Sequence, residues 1–346
     1  MAKLLAKWER LCASSRILRF VDINLRGVAQ VMFQNNPLTG ALFLAAIGWG
    51  SYAGGVPQVA IAGLLAVVVA TLTAQWLHVD EASLAAGLYG YNGILVGLAL
   101  ATFLAPGALL WVYVVLGAAV SVVAMLGVAN AVKPWGVSAL TFPFVLVTWL
   151  LLLATYGFSG LIGTALPSGN VVTVFQPYET SPVKVVDLVQ GVLLSISQVF
   201  LKGSGVAALL LLAGLAVSSL AAATFALAGA ILAVLTAHLF GAESELITGG
   251  LLGFSPVLTT IALGTVFYQP SLRVAAYTAL GTVFTVIAQA ALNVALTPLA
   301  IPALTAPFVL ASWIFLLPRQ CFEPVTTAAA DDVKPGATGI GERTIS

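Results

Sequence analysis

The chain has 346 residues, of which 60% are hydrophobic and only 7% are charged. Soluble domains carry about 25% charged residues, so this composition excludes a water-exposed globular protein and indicates that most of the surface faces a lipid bilayer. The formal net charge of +1 gives no reason to expect a nucleic-acid partner.

The N-terminal segment, residues 1–27, precedes the first apolar stretch and is rich in basic residues. These are Lys3, Lys7, Arg10, Arg16, Arg19 and Arg26. Because basic residues accumulate on the cytoplasmic side of membrane proteins, we expect a cytoplasmic N-terminus and an amphipathic helix at the membrane interface. The segment lacks a short apolar core followed by a small-residue cleavage site, which argues against a signal peptide.

Long apolar stretches then follow one another with few charged residues between them. They cover residues 41–55, 57–77, 86–104, 107–128, 142–158, 205–221, 224–240, 246–267, 273–294 and 306–318. We interpret them as ten membrane spans, allowing for tilt. An even number of spans returns the C-terminus to the cytoplasm, and the polar tail 319–346 is expected to be disordered. The predicted location is the cell (inner) membrane.

One eleven-residue phrase occurs twice, at residues 139–149 and 303–313. In each copy a lone threonine, Thr141 or Thr305, stands two residues before a proline that cannot continue a helical hydrogen-bond ladder. A broken helix in a membrane is tolerated only where it lines a cavity or is buried in protein. We therefore interpret the two copies as equivalent half-sites.

Further matched blocks, such as 87–97 with 250–260, divide the chain into a first half (28–158) and a second half (190–318), joined by the polar segment 159–189. With five spans each, the second half would be inverted relative to the first. The predicted fold is an all-α polytopic membrane protein, in which two inverted five-helix repeats with re-entrant half-helices form a central pore.

The predicted spans contain almost no ionisable residue and the chain has no nucleotide-binding motif, so we expect a passive pathway and no enzymatic activity. A neutral polar solute sheds water on entry, and the pathway must replace its hydrogen bonds. Repeated positions supply Gln30 and Gln198, Thr141 and Thr305, then Asn92 and Ser255 as weaker candidates, and the aromatic residues Phe33, Tyr91 and Phe254. The two cysteines, Cys12 and Cys321, favour neither a disulfide framework nor a metal site, and no cofactor is expected.

Several transport classes stay open at this point. His78 and His238 are not repeat-equivalent and lie near span ends, which argues against an ammonia channel built on paired pore histidines. A water channel needs a second Asn-Pro motif, and the equivalent of residues 35–37, residues 203–205, carries neither residue. An ion-coupled carrier of a small amide is the remaining alternative. Urea, with four N–H donors in one plane, fits an acceptor-lined slot, and the same argument admits glycerol or formamide.

The motifs resemble those of the urea transporter family. Its signature, L-P-x-x-T-x-P-F, is present in the second half as Ile301 to Phe308, with Ile for Leu. The first copy, Val137 to Phe144, keeps the Thr, Pro and Phe but has Ser138 in place of the first Pro. The segment Gln34-Asn35-Asn36-Pro37-Leu38-Thr39-Gly40 is also similar to the family.

The resemblance implies a homotrimer in which each protomer carries its own pore and conducts urea downhill in single file. It places Thr141 and Thr305 at the narrow middle. It also implies that the half-helix ends carry Gln30, Val31, Gln198 and Val199, and that the slot walls are formed by Phe33, Tyr91, Leu95, Phe254 and Leu258. The family usually has Phe where Tyr91 stands.

Overall fold

The computed structural model describes residues 2–167, 169 and 183–318. The described part is helical, and its only pairing of extended backbone is an isolated bridge between Leu104 and Gly163. The all-α fold predicted from the sequence is therefore confirmed. The predicted disordered tail 319–346 and most of the polar segment between the halves lie outside the described residues.

Fifteen α-helices occur in the described residues. Up to the end of the first half they are α1 (Ala2–Ser14), α2 (Arg16–Gln30), α3 (Pro37–Ala53), α4 (Pro57–Trp76), α5 (Glu81–Ala85), α6 (Tyr91–Phe103), α7 (Ala108–Val132) and α8 (Phe142–Ala154). The others are α9 (Val185–Ser197), α10 (Gly205–Ser218), α11 (Leu220–Leu239), α12 (Ser244–Thr248), α13 (Phe254–Ile261), α14 (Leu272–Leu296) and α15 (Ala306–Leu316). The predicted boundaries at residues 28 and 190 fall inside α2 and α9.

The helices from α2 to α8 recur in the same order as those from α9 to α15. The equivalent helices α4 and α11 have 20 residues each, α5 and α12 have 5 each, and α7 and α14 have 25 each. The local structure of the chain is thus duplicated, as the repeated sequence blocks indicate. The inversion of one half relative to the other in the membrane stays a prediction.

Four helical stretches are long and apolar enough to cross a membrane: Pro57–Trp76, Ala108–Trp135, Leu220–Leu239 and Leu272–Leu299. A fifth crossing is possible if the pair Val185–Phe200 and Gly205–Ser218, which is bent by 72°, is one broken span. The sequence predicts ten. The difference arises because four apolar helices next to the repeated motifs stop after 10–17 residues, and because α3 and α10 have only 17 and 14 residues. At about 1.5 Å per residue, such helices do not cross a ~30 Å hydrocarbon core unaided.

The breaks are made by non-glycine residues in the left-handed backbone region. Leu140 and Leu304 both have φ +51° immediately before the threonines that precede α8 and α15, and Phe33 (φ +62°) and Leu201 (φ +54°) follow α2 and α9. This conformation costs on the order of 1 kcal/mol for a bulky residue and persists only where surrounding packing fixes it. Leu140 and Leu304 are accordingly buried.

The two halves meet along α3 and α10. The Thr39 hydroxyl donates to the Gly214 carbonyl at 2.8 Å, and the Phe43 ring lies 5.5 Å from the Phe200 ring. Gly214 permits this approach, because a Cβ at that position would come within 2.8 Å of the Phe43 ring. The packing makes one continuous apolar core from both halves.

Candidate functional site

The hydroxyl groups of Thr141 and Thr305 meet in the interior of the protein. Their Oγ1 atoms are 2.6 Å apart, and each residue is only 3% exposed. The two threonines stand at the N-termini of α8 and α15 with nearly identical backbone angles, φ −91° and −92° with ψ 14°. One hydroxyl donates to the other, so the pair retains one O–H and several lone pairs for a third group.

Two tryptophans cross between the halves beside this pair. Trp149 Nε1 donates to the Pro302 carbonyl, and Trp313 Nε1 donates to the Ser138 carbonyl, both at 2.9 Å. The accepting residues are repeat-equivalent, and each lies three positions before its threonine. The bonds therefore tie the broken segment of each half to the helix of the other. Sequence reasoning assigned the tryptophans no role, although both end the repeated phrase eight residues after the threonine.

Replacing Trp313 with Phe removes the N–H donor and keeps an aromatic ring beside Phe142, whose centroid lies 5.3 Å away. We expect a stability loss of about 1 kcal/mol, because the Ser138 carbonyl loses its partner. We also expect a severalfold loss of solute flux, because the indole bond holds the Ser138 carbonyl and Ser138 lies only three residues before Thr141. Thermal denaturation and vesicle flux measure the two effects.

Trp149→Phe should have the same effect, since its bond is the repeat equivalent. The control is Trp76→Phe, at a tryptophan of α4 that is 73% exposed and lies 65 residues before Thr141 in the chain. A Trp313→Phe variant that behaves like the Trp76→Phe control would contradict the positioning role of the indole.

Gln30 and Gln198 lie at the C-terminal ends of α2 and α9 and make equivalent bonds. Gln30 Nε2 donates to the Ala86 carbonyl at 2.9 Å, and Gln198 Nε2 donates to the Gly249 carbonyl at 3.2 Å. Both side chains are half-buried. Because the side-chain NH₂ groups donate in this way, the Oε1 atoms of both glutamines are available as acceptors.

The carbonyls that hold the glutamines come from the C-terminal ends of the short helices α5 and α12. Asp80 caps the start of α5 by accepting a hydrogen bond from the Ser83 N–H at 2.8 Å, which lowers the pKa of the Asp80 carboxyl group. Glu243, at the same place before α12, makes no side-chain cap. The short helix that binds Gln30 is therefore capped by a side chain, whereas the short helix that binds Gln198 is not.

Tyr91 and Asn92 are fixed by the broken segment of the first half. Tyr91 Oη donates to the Leu140 carbonyl at 2.7 Å, and Asn92 Oδ1 accepts from the Phe144 N–H at 3.1 Å. In the second half Ser255 Oγ instead contacts Gln289 Oε1 at 2.7 Å. Asn92 and Ser255 therefore have internal partners, which favours a supporting role and agrees with their rank as weaker candidates.

The apolar candidates divide into two groups. Val31, Val199, Leu95 and Leu258 are at most 2% exposed and belong to the apolar core. Phe33 and Phe254 are half-buried, and the Phe33 ring makes edge contacts with Phe267 and Phe308 at 6.3 and 6.1 Å. Phe33 and Phe254 thus have accessible surface, whereas the four aliphatic residues contribute packing in this conformation.

The residues that meet here are uncharged. In the described part of the chain, no group of three His, Cys, Asp or Glu side chains is placed to hold a metal ion. A buried pair of hydroxyls at two helix breaks offers hydrogen bonds without charge. An all-helical membrane protein with such a site belongs to the class of membrane transport proteins.

Comparison with known proteins identifies the family within this class. A model of the urea transporter family matches residues 21–320. Urea transporter 1 of Ovis aries is 28% identical over 320 residues, which cover 91% of this chain and 80% of that protein. Urea transporter 1 of Rattus norvegicus is 29% identical over 310 residues, or 87% and 77% of the two chains. The chain belongs to the urea transporter family, a family of membrane transport proteins and not of enzymes.

Proposed function

We propose that this protein is a passive, channel-type facilitator that conducts urea in single file past the Thr141–Thr305 pair. The observation that carries the proposal is the 2.6 Å contact between two neutral hydroxyls, one from each half, in a chain of the urea transporter family. The named relatives support urea as the permeant.

The chemistry of the site supports a neutral amide. Urea is planar, with four N–H donors and one carbonyl acceptor, and it needs replacements for its water hydrogen bonds. The carboxamide oxygens of Gln30 and Gln198 offer acceptors, and the threonine pair offers both acceptors and one donor. Phe33, Tyr91 and Phe254 are the proposed flat walls, and Val31, Val199, Leu95 and Leu258 the aliphatic ones.

The absence of charge in this constellation supports passive transport. Coupling to protons or sodium ions normally relies on ionisable groups inside the membrane, and none is among the proposed site residues. The proposed architecture keeps the two halves inverted, with both chain termini in the cytoplasm. A homotrimer in the cell (inner) membrane is the proposed assembly.

The surroundings of the histidines and of the Asn-Pro segment give little support to an ammonia or water channel. His78 and His238 are exposed at helix ends. Asn36 Oδ1 accepts from the Leu38 N–H at 2.9 Å, and Asn35 Oδ1 accepts from the Arg26 guanidinium at 2.7 Å. Asn36 therefore caps α3, and Asn35 is bound to a charged side chain of α2.

Urea uptake into vesicles that contain the purified protein tests the proposal. We expect rapid uptake that is unchanged when ionophores collapse proton and sodium gradients, and slower uptake of thiourea. Uptake that stops when the gradients collapse would identify an ion-coupled carrier instead. Protein-dependent ammonia flux in the absence of urea flux would identify an ammonia channel.

A further inference from the structure

A cavity of about 340 Å³ lies between α11, α13 and α14 of the second half, on elements separate from the threonine pair. Its apolar walls include Phe225, Ala228, Leu232, Ala275 and Ala279. Four threonines are also among its lining residues, and no charged residue lines it. Ala228 and Ala279 are exposed on helices long enough to span the membrane, so the cavity opens on the side of the helix bundle.

One of the lining hydroxyls has no partner. Thr260 and Thr282 bond to each other at 2.8 Å and to helix carbonyls. The Oγ1 of Thr278 makes no hydrogen bond among the described residues, although the residue is only 1% exposed. A buried hydroxyl is more stable when it donates to an acceptor, so this lining residue has a buried donor that a side-chain rotation could turn toward a bound group.

At the equivalent place in the first half, larger side chains occupy the space. Trp111 is the fourth residue of α7 and Ala275 the fourth residue of α14, helices of equal length. By the same count, Val114 corresponds to Thr278. Leu65 in α4 likewise corresponds to Ala228 in α11. The first half therefore fills the space with an indole and a leucine side chain that pack on its core, where the second half has two alanines.

The helix that forms the inner wall also differs between the halves. After Ile261 the chain continues as a π-helical segment, Ala262–Phe267, whereas the equivalent part of α6 is α-helical. Gly264 lies in that segment directly under the Phe225 ring, where any Cβ would collide with the ring. Single π turns are rare and are enriched at functional sites. The inner wall of the cavity therefore differs from its first-half equivalent in backbone conformation as well as in side-chain size.

We propose that this cavity binds one membrane lipid, with an acyl chain between α11 and α14 and its ester carbonyl accepting a hydrogen bond from Thr278. Thr278 lies six residues, or about 9 Å, from the start of α14, near one boundary of the hydrocarbon core, where ester groups are found. The cavity is about ten times larger than the ~30 Å³ share of one water molecule.

Photolabelling tests the site on the full-length protein. The purified protein is reconstituted in vesicles of phosphatidylethanolamine and phosphatidylglycerol that contain a trace of phosphatidylethanolamine with a diazirine on its acyl chain. After irradiation, labelled peptides are mapped by mass spectrometry. We expect labelling concentrated on residues 224–232 and 275–282, well above that of the equivalent segments of α4 and α7.

Ala275→Trp introduces the residue that the first half already uses, and it should lower labelling of these segments at least about tenfold. Thr278→Val keeps the shape and removes the donor, so it should lower labelling about two- to tenfold. If Ala275→Trp fails to fold, Thr278→Val alone tests whether the cavity binds a lipid. The converse change, Trp111→Ala, opens the first half and should create new labelling on α4 and α7.

Labelling of the second-half segments that is uniform with other lipid-facing helices, or unchanged in both variants, would overturn the proposal. So would a change of oligomeric state in Ala275→Trp, measured by light scattering, because it would assign the surface to contacts between copies. Urea uptake is scored separately, since the lipid site does not depend on the proposed permeant.

Discussion

Replacing Thr141 and Thr305 together with valine is expected to lower urea permeability by roughly tenfold or more. Valine has nearly the shape of threonine, so the packing around the pair is kept while both hydroxyls are lost. A permeating urea would then pass a buried constriction without hydrogen bonds, at a cost on the order of 1–3 kcal/mol, and each ~1.4 kcal/mol corresponds to a factor of ten in rate. Stopped-flow light scattering on reconstituted vesicles measures the change.

A matched control lies two helical turns further along α8. Thr148 is fully buried, and its hydroxyl has no hydrogen-bond partner among the described residues. Thr148→Val should therefore leave both flux and stability unchanged or slightly improved. If the double variant at Thr141 and Thr305 conducts urea as fast as Thr148→Val does, the threonine pair is not part of the pathway.

Gly87→Ala is expected to destabilise the protein by roughly 3 kcal/mol or more. Gly87 has φ +76°, and a Cβ there would lie 2.6 Å from the Arg26 carbonyl carbon and would also collide with the Gly27 nitrogen. The substitution combines left-handed strain with a backbone clash that no side-chain motion relieves. Because the neighbouring Ala86 carbonyl holds Gln30, the clash also displaces a predicted site residue. Thermal denaturation in detergent measures the loss.

Gly55→Ala separates the two causes. Gly55 has φ +69°, but its surroundings are open, so alanine there meets the backbone strain alone. We expect a loss of about 1 kcal/mol for this variant. Equal melting temperatures for Gly87→Ala and Gly55→Ala would show that the close approach of α2 to the Gly87 turn is not tight in solution.

The sequence was informative wherever the chain repeats itself. The Thr-x-Pro spacing predicted that α8 and α15 begin just after Thr141 and Thr305, and the structure brings these two residues together. Gln30 and Gln198, identified from a short matched block, make equivalent bonds to equivalent carbonyls. Duplication makes such positions visible, because a polar residue that recurs between apolar stretches must satisfy the same requirement twice.

Other features depend on contacts that periodicity does not encode. The indole bonds of Trp149 and Trp313 join residues more than 150 positions apart, and an aromatic residue in an apolar stretch gives no sign of its partner. The spans predicted at 86–104 and 246–267 were too long, because the chain turns at Gly87 and Gly250 before α6 and α13 begin. The cavity beside Thr278 was also missed, since it results from small residues where the first half has large ones.

The exchanged indole bonds have a consequence for how the protein is made. When the ribosome has completed only residues 1–158, the Ser138 carbonyl still lacks its donor and Thr141 lacks the hydroxyl that it will contact. Neither half contains both partners of these bonds. The broken segment of the first half therefore lacks them until the second half is inserted. We therefore expect that a fragment ending after α8 is degraded quickly when expressed alone, and that co-expression of the missing half protects it.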